Sequence, residues 1–247
     1  MQFNFYQYQF KTNWFSIVLT MLCILTFIKL GLWQYHKAAI RQNIENQYQA
    51  SLQQGTADLK SVLEHPEVLV YRNVKVRGEY QPTYQILIDN QIENGRAGYH
   101  VVTPFKIKDT HHYVLVNRGW ILGSDNHQDV PNVITPVGEQ EIQGMVWVPS
   151  NKIFSLEDDT EHTTNIWKSV WQNLDMKKYQ TQAPIQVLNI IIKLDPKQPV
   201  GGFVRNWQLP PSRIMTNLGY AYQWFGFAFS ALAIYVYLSI SRIQARE

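Results

Sequence analysis

The stretch "VLVNRGWI", Val114 to Ile121, sets Asn117, Arg118 and Trp120 where a run of apolar residues should end as a strand. A guanidinium beside an indole can do two things. It can stack on the ring and cap the strand end as structural glue, or it can receive an anionic group. His111 and His112 are neighbours in the same run, so their rings face opposite sides of a strand and do not share a metal easily; they read as surface histidines. Glu157 to His162, "EDDTEH", reads as a solvated acidic loop rather than a metal site. The sequence has no G-x-S-x-G elbow, no H-E-x-x-H, no paired C-x-x-C, no phosphate loop and no G-x-G-x-x-G. A catalytic assignment therefore has no residue to stand on.

The elements that would position these residues begin with two apolar runs. Tyr220 to Ile240 contains no charged residue, and about 21 residues at a helical rise of 1.5 Å reach about 31 Å, the thickness of a hydrocarbon core. Tyr220, Tyr222 and Trp224 crowd one end, and Tyr235 and Tyr237 lie towards the other, as amphipathic rings do at headgroup level. Near the N-terminus, "WFSIVLTMLCILTFIKLGLW" from Trp14 to Trp33 is as long and has tryptophan at both ends. Its Lys29 is about one turn from Trp33 and can snorkel to the interface. A cleaved signal peptide fits less well, because the run exceeds an ordinary h-region and no small-x-small site follows it. Cys23 is the single cysteine, so no intrachain disulfide is possible.

The pattern predicts an α+β membrane protein: a transmembrane helix over 14–35, a β-rich extramembrane domain with a helical stalk over 36–215, and a second transmembrane helix over 220–241. Two spans put both termini on one side of the bilayer. Lys11, Arg242 and Arg246 on the tails and Lys37, Arg41, Arg205 and Arg213 on the loop do not decide which side, since so long a loop is translocated largely regardless of charge. A net charge of +3 is too small and scattered to argue for nucleic acid.

Between the spans, Ile40, Ile44, Tyr48 and Leu52 recur every fourth residue and extend the first helix as an amphipathic stalk ending at Gly55. A short helical turn is predicted over Asp58 to Glu64. From Val68 the period is two: Val68, Val70, Val74, Val76 and Tyr80, then Tyr84, Ile86 and Ile88, predict two strands. "GYHVVTPFKI" and "HHYVLVNRGWIL" predict a hairpin, and "EIQGMVWV" and "IQVLNIIIKL" two more strands. Ile166, Val170, Trp171 and Leu174 have helical spacing and predict one helix packed on the sheet.

Several blocks are similar in type and order to the surfeit locus protein 1 family, the assembly factors of cytochrome c oxidase. They are "LGLWQYHK" at the end of the first span, "GEY" at Gly78 to Tyr80, "DNQIENGRAGYHVVTPF" at Asp89 to Phe105, "VLVNRGW", "GGFVRNWQ" at Gly201 to Gln208, and "GYAYQWFG" at the start of the second span. The resemblance covers most of the chain. It implies a chaperone rather than an enzyme, helping haem a insertion into, or stabilisation of, subunit I of a haem-copper oxidase beside other oxidase assembly factors. It also implies a multi-pass protein of the cytoplasmic (inner) membrane, its large domain facing the periplasm and both termini cytoplasmic. A membrane-tethered hydrolase or transferase with an unrecognised site is the alternative.

The resemblance implies a transiently bound haem a, and one position departs from it. Many members carry a histidine, proposed as a haem ligand, three residues before the tyrosine that is Tyr220 here; this chain has Asn217, a poor iron ligand. His36, three residues after Trp33, is expected at the same membrane level as Tyr220 and is a candidate to approach a haem held between the span ends. Haem propionates are anions, which makes Arg118, Arg205 and Arg213 candidates to contact them, with Trp120, Trp207 and Trp224 as flat apolar walls. Structural pairing is the competing reading for each arginine.

Overall fold

The chain opens with two strands, β1 (Gln2–Phe5) and β2 (Tyr8–Lys11), and then enters one continuous helix, α1 (Trp14–Leu52). No proline interrupts that stretch, and Gly55 lies just beyond its end. Strands β3 (Ala57–Asp58), β4 (Asn73–Tyr80), β5 (Ile86–Glu93), β6 (Arg96–Ile107), β7 (His112–Leu122), β8 (Gln140–Trp147) and β9 (Val170–Trp171) follow. Helix α2 (Met176–Gln182), strand β10 (Gln186–Leu194), helix α3 (Ile214–Ser239) and strand β11 (Ile240–Arg242) complete the order. This computed structural model describes residues 2–5, 8–124, 129–149, 167–198, 201, 203–207 and 212–242. The chain divides into two units, one of Met1–Asn46 with Leu209–Glu247 and one of Gln47–Gln208.

In the first unit, α1 and α3 pack antiparallel. Thr12 Oγ1 and the Tyr235 hydroxyl are 2.6 Å apart at one level, and the rings of Phe27 and Trp224 stack with centroids 5.8 Å apart at another. Small residues face the partner helix: Gly31 lies against the Phe225 ring, and Ala221 and Ala228 are buried. The large apolar side chains Leu22, Leu25, Leu32, Phe229 and Leu238 are exposed. Both helices are long and apolar enough to cross a membrane. At their far ends β1, β2 and β11 form a small antiparallel sheet in that order, with Ile240 opposite Phe10; the sequence predicts no strand there and carries the second helix to 241, whereas α3 ends at Ser239.

The second unit is built on eight strands in the order β3-β4-β8-β10-β7-β6-β5-β9, with a further pairing of β4 to β6. That pairing sets Gly78 opposite Ile107 and Tyr80 opposite Phe105, so β4, β8, β10, β7 and β6 close into a barrel. Closure removes the open edges that a flat sheet would present. Alternate residues fill the interior: Val74, Val76 and Tyr80 from β4, Phe105 and Ile107 from β6, Val114 and Val116 from β7, Ile142 and Val146 from β8, and Ile190, Ile192 and Leu194 from β10. A second cluster covers the outside of the sheet, where Met176, Tyr179 and Ala183 pack with Val102, Leu115, Ile191 and Trp171.

The packed helix differs from the sequence expectation in position. Val170 and Trp171 are a strand, pairing in parallel with Leu87 and Ile88, and the helix starts at Met176. Its start is set by Asp175, whose carboxylate accepts from the amides of Lys177 and Lys178 at 2.9 and 3.1 Å, a cap worth about 1 kcal/mol. A β-branched and an aromatic residue gain more from the sheet edge than from a helical turn. Ile166 lies outside the described residues, as do Glu157 to His162. The strand expected from Val68 begins only at Asn73, because Pro66 opens a 3-10 turn through Leu69 and Tyr71 takes a left-handed φ of 64°. Likewise Tyr84 belongs to the 3-10 turn Pro82–Tyr84, and the turn expected over Asp58 to Glu64 is a 3-10 helix at Leu59–Val62.

Candidate functional site

Strand alternation carries Val114 and Val116 into the barrel, and Arg118 is the next residue in the same phase. The guanidinium therefore sits at one end of the barrel interior, with no exposed surface. Its Nη2 donates to the Ile134 carbonyl at 2.7 Å and its Nη1 to Thr135 Oγ1 at 3.0 Å, with longer contacts to Gln85 Oε1 and Thr103 Oγ1 at 3.4 and 3.5 Å. The rings of Phe203 and Tyr80 lie 4.9 and 5.2 Å from its central carbon. Every one of these partners is neutral. Burial pulls the guanidinium below its ordinary pKa, although an arginine stays charged. Its Nε and the Tyr80 hydroxyl are buried donors with no partner among the described residues, and burial pushes the Tyr80 hydroxyl up to about 12.

A strap formed by residues 203–207 closes this end. Val204 exchanges both main-chain hydrogen bonds with Trp120, at 2.7 and 3.0 Å. The approach needs glycine at 119: its φ is 128°, and a Cβ there would stand 2.7 Å from Phe203 Cβ and 2.8 Å from the Val204 oxygen. Arg205 Nε donates to the Arg118 carbonyl at 2.7 Å, and its Nη1 donates to the carbonyl of Gln198. The Trp120 indole donates to the Gln91 carbonyl at 2.9 Å and is almost wholly buried.

Of the residues singled out in the sequence, Arg118, Trp120 and Arg205 thus converge, and the contacts they make are structural. Arg118 is enclosed, and Arg205 holds main-chain carbonyls.

Beside the strap lies a polar cleft the sequence reading did not find. It has a volume of about 430 Å3, and Glu93, His100, Lys193, Asn206 and Trp207 line it. The Lys193 ammonium stands 3.5 Å from the centroid of Trp147 and 5.6 Å from that of Trp207, whose own N–H donates to the Leu194 carbonyl at 2.7 Å. Burial pulls Lys193 down to about 8. Burial, and then the nearby Lys193, pull His100 down to about 4 against the opposing charge of Glu93. The available signal was a lone lysine inside "IIIKL", an otherwise apolar strand.

The other candidates belong to the helical unit. His36 is exposed on α1, Tyr220 is half exposed at the start of α3, and Trp224 packs on Phe27 and Phe227. Arg213 precedes α3 in a left-handed conformation with φ 44° and is exposed. It is the one predicted arginine whose guanidinium faces solvent. For a haem, the donor set here is meagre. His36 is the only imidazole among the described residues of this unit, and Asn217 is an amide, a poor iron ligand. Among the described residues, no group of three or more histidine, cysteine, aspartate or glutamate side chains could hold a metal ion.

Residues 21–229 match the model of the SURF1 family. A SURF1-like protein of Rickettsia felis is 30% identical over 241 residues, covering 92% of this chain and 96% of the relative. One of Rickettsia conorii is 28% identical over 243 residues, covering 92% and 90%. Surfeit locus protein 1 of Mus musculus is 24% identical over 209 residues, covering 78% of this chain and 66% of its own. The matched region takes in most of the apolar part of α1, the whole barrel unit and most of α3, and the chain belongs to the SURF1 family.

Proposed function

We propose that this protein is a membrane-anchored assembly factor of a haem-copper cytochrome c oxidase, holding subunit I while haem a is inserted or the loaded subunit is stabilised. In this reading α1 and α3 cross the cytoplasmic membrane. The barrel unit faces the periplasm, both termini are cytoplasmic, and other oxidase assembly factors work beside it. The observation that carries the reading is the family match over residues 21–229, which covers most of both apolar helices together with the barrel. The exposed leucines and phenylalanines of the helix pair support a lipid-facing surface, since so many large apolar side chains are not left in water.

The chemistry is equilibrium chaperoning: binding an unfinished subunit lowers the population of its aggregation-prone free form by mass action, with no covalent step. Haem a, if it contacts the protein, meets Tyr220 and Trp224 as apolar walls, His36 as the available imidazole and Arg213 as the open cation. Recovery of the protein in mild detergent, with the co-purifying haem and subunits identified, tests the reading. Subunit I should co-purify, and cells lacking the protein should lose assembled oxidase. Recovery of neither haem nor oxidase subunits, with an intact oxidase in the deleted strain, would overturn it.

A further inference from the structure

Lys193 occupies a place where charge is costly. Its neighbours on β10, Ile192 and Leu194, point into the barrel, so Lys193 projects from the opposite face, between the indoles of Trp147 and Trp207. Leucine or methionine would fill that slot without the desolvation penalty of an ammonium. Ring faces compensate the charge only diffusely, and the ammonium has three N–H donors to satisfy. Among the described residues it makes no hydrogen bond and no ion pair. The residue lines the cleft.

The rest of the cleft narrows what could take those donors. His100 is neutral at pH 7, so among the described residues Lys193 is the only cation lining the cavity. Glu93, the only carboxylate lining it among the described residues, accepts from Asn206 Nδ2 at 3.1 Å and disfavours a ligand of high negative charge. It favours one that brings a hydrogen-bond donor of its own. A volume of about 430 Å3 is in the range of small-molecule sites, which span about 300–1,000 Å3.

We propose that this cleft binds a small monocarboxylate that also carries a hydroxyl or amino group, its carboxylate taking the free N–H groups of Lys193 and its donor group facing Glu93. Neither the site nor its test depends on an oxidase client.

The test uses the full-length protein in detergent, labelled briefly with acetic anhydride at pH 8, with acetylation of each lysine read by mass spectrometry. Sodium lactate is the probe, sodium chloride at equal ionic strength the control, and Lys197, on the loop after β10, the internal reference. Lactate should slow acetylation of Lys193 saturably, by about tenfold at ten times its dissociation constant, and leave Lys197 unchanged. A second measurement, saturation-transfer NMR of lactate, should lose its signal in Lys193→Met, a variant that keeps the slot filled. Absence of protection, equal protection by chloride, or undiminished lactate binding by the variant would each overturn the assignment.

Discussion

Arg205 donates its Nε hydrogen to the main-chain oxygen of Arg118 at 2.7 Å, so the strap that closes the barrel is held by the residue whose side chain it covers. Two arginines that the sequence offers as candidates for an anion, with structural pairing as the competing reading, are part of one closure. Arg118 fixes the loop at Ile134 and Thr135 from within, and Arg205 fixes the strap from without.

Removing the inner arginine should be costly. Arg118→Ala leaves the Ile134 carbonyl without its donor, which costs about 1–3 kcal/mol, and opens a void beside Tyr80 and Phe203 that adds to the loss. Arg118→Lys keeps the charge without the fork that serves several acceptors, and should recover less than half of that loss. Urea unfolding of the full-length protein in detergent, followed by tryptophan fluorescence, checks both.

His100 should make the protein acid-sensitive. Its pKa in the fold is about 4 against an ordinary 6.5, so between those values the unfolded chain takes up a proton that the fold refuses. Stability should fall as pH drops from 6.5 to 4 and not fall further on this account below 4. Lys193 acts at the other end: it loses its proton near pH 8 in the fold and near 10.5 in the unfolded chain, so stability should rise over that interval. Midpoints measured from pH 4 to 10 should show both slopes. His100→Asn should flatten the acid one, and Lys193→Met the alkaline one.

The packing of the two long helices depends on Gly31. A Cβ at this position would overlap the Phe225 ring, whereas one at Gly226 would meet nothing within 4 Å. Gly31→Val should therefore lower stability by about 1–3 kcal/mol through overpacking and reduce assembled oxidase in a complemented strain. Gly226→Val, also in helix, is the control and should leave both near the parent value.

Iron ligation can be separated from simple haem contact. Asn217→His supplies an imidazole three residues before Tyr220 on α3, and under the proposed haem contact the purified variant should carry more haem than the parent, with a sharper Soret band. His36→Ala should weaken that band in the parent. An unchanged spectrum of the haem-loaded protein after His36→Ala would rule out this histidine as a ligand.

Local regularities were legible in the chain. Apolar runs without charge between Trp14 and Ile28 and between Tyr220 and Ile240 announced two long helices, and alternation at Val74, Val76, Val114, Val116, Ile190 and Ile192 announced strands. The order of short blocks resembled that of the family. The helix was misplaced because Val170, Trp171 and Leu174 have helical spacing by chance of composition, while the signal that decided its start was the capping Asp175. The 3-10 turns at Pro66 and Pro82 were hidden by apolar residues that happened to fall on even positions.

The sequence alone determined which segments are apolar and which alternate, because these follow from side-chain chemistry and from neighbours within a few residues. Only the tertiary structure decided that β4 pairs with β6 to close a barrel, that Arg118 ends up inside it, and that Lys193 meets Trp147 and Trp207 at the edge of a cleft. Each of these depends on strand register between segments far apart in the chain. A shift of one residue would turn each of these side chains to the other face, and no local pattern records that choice.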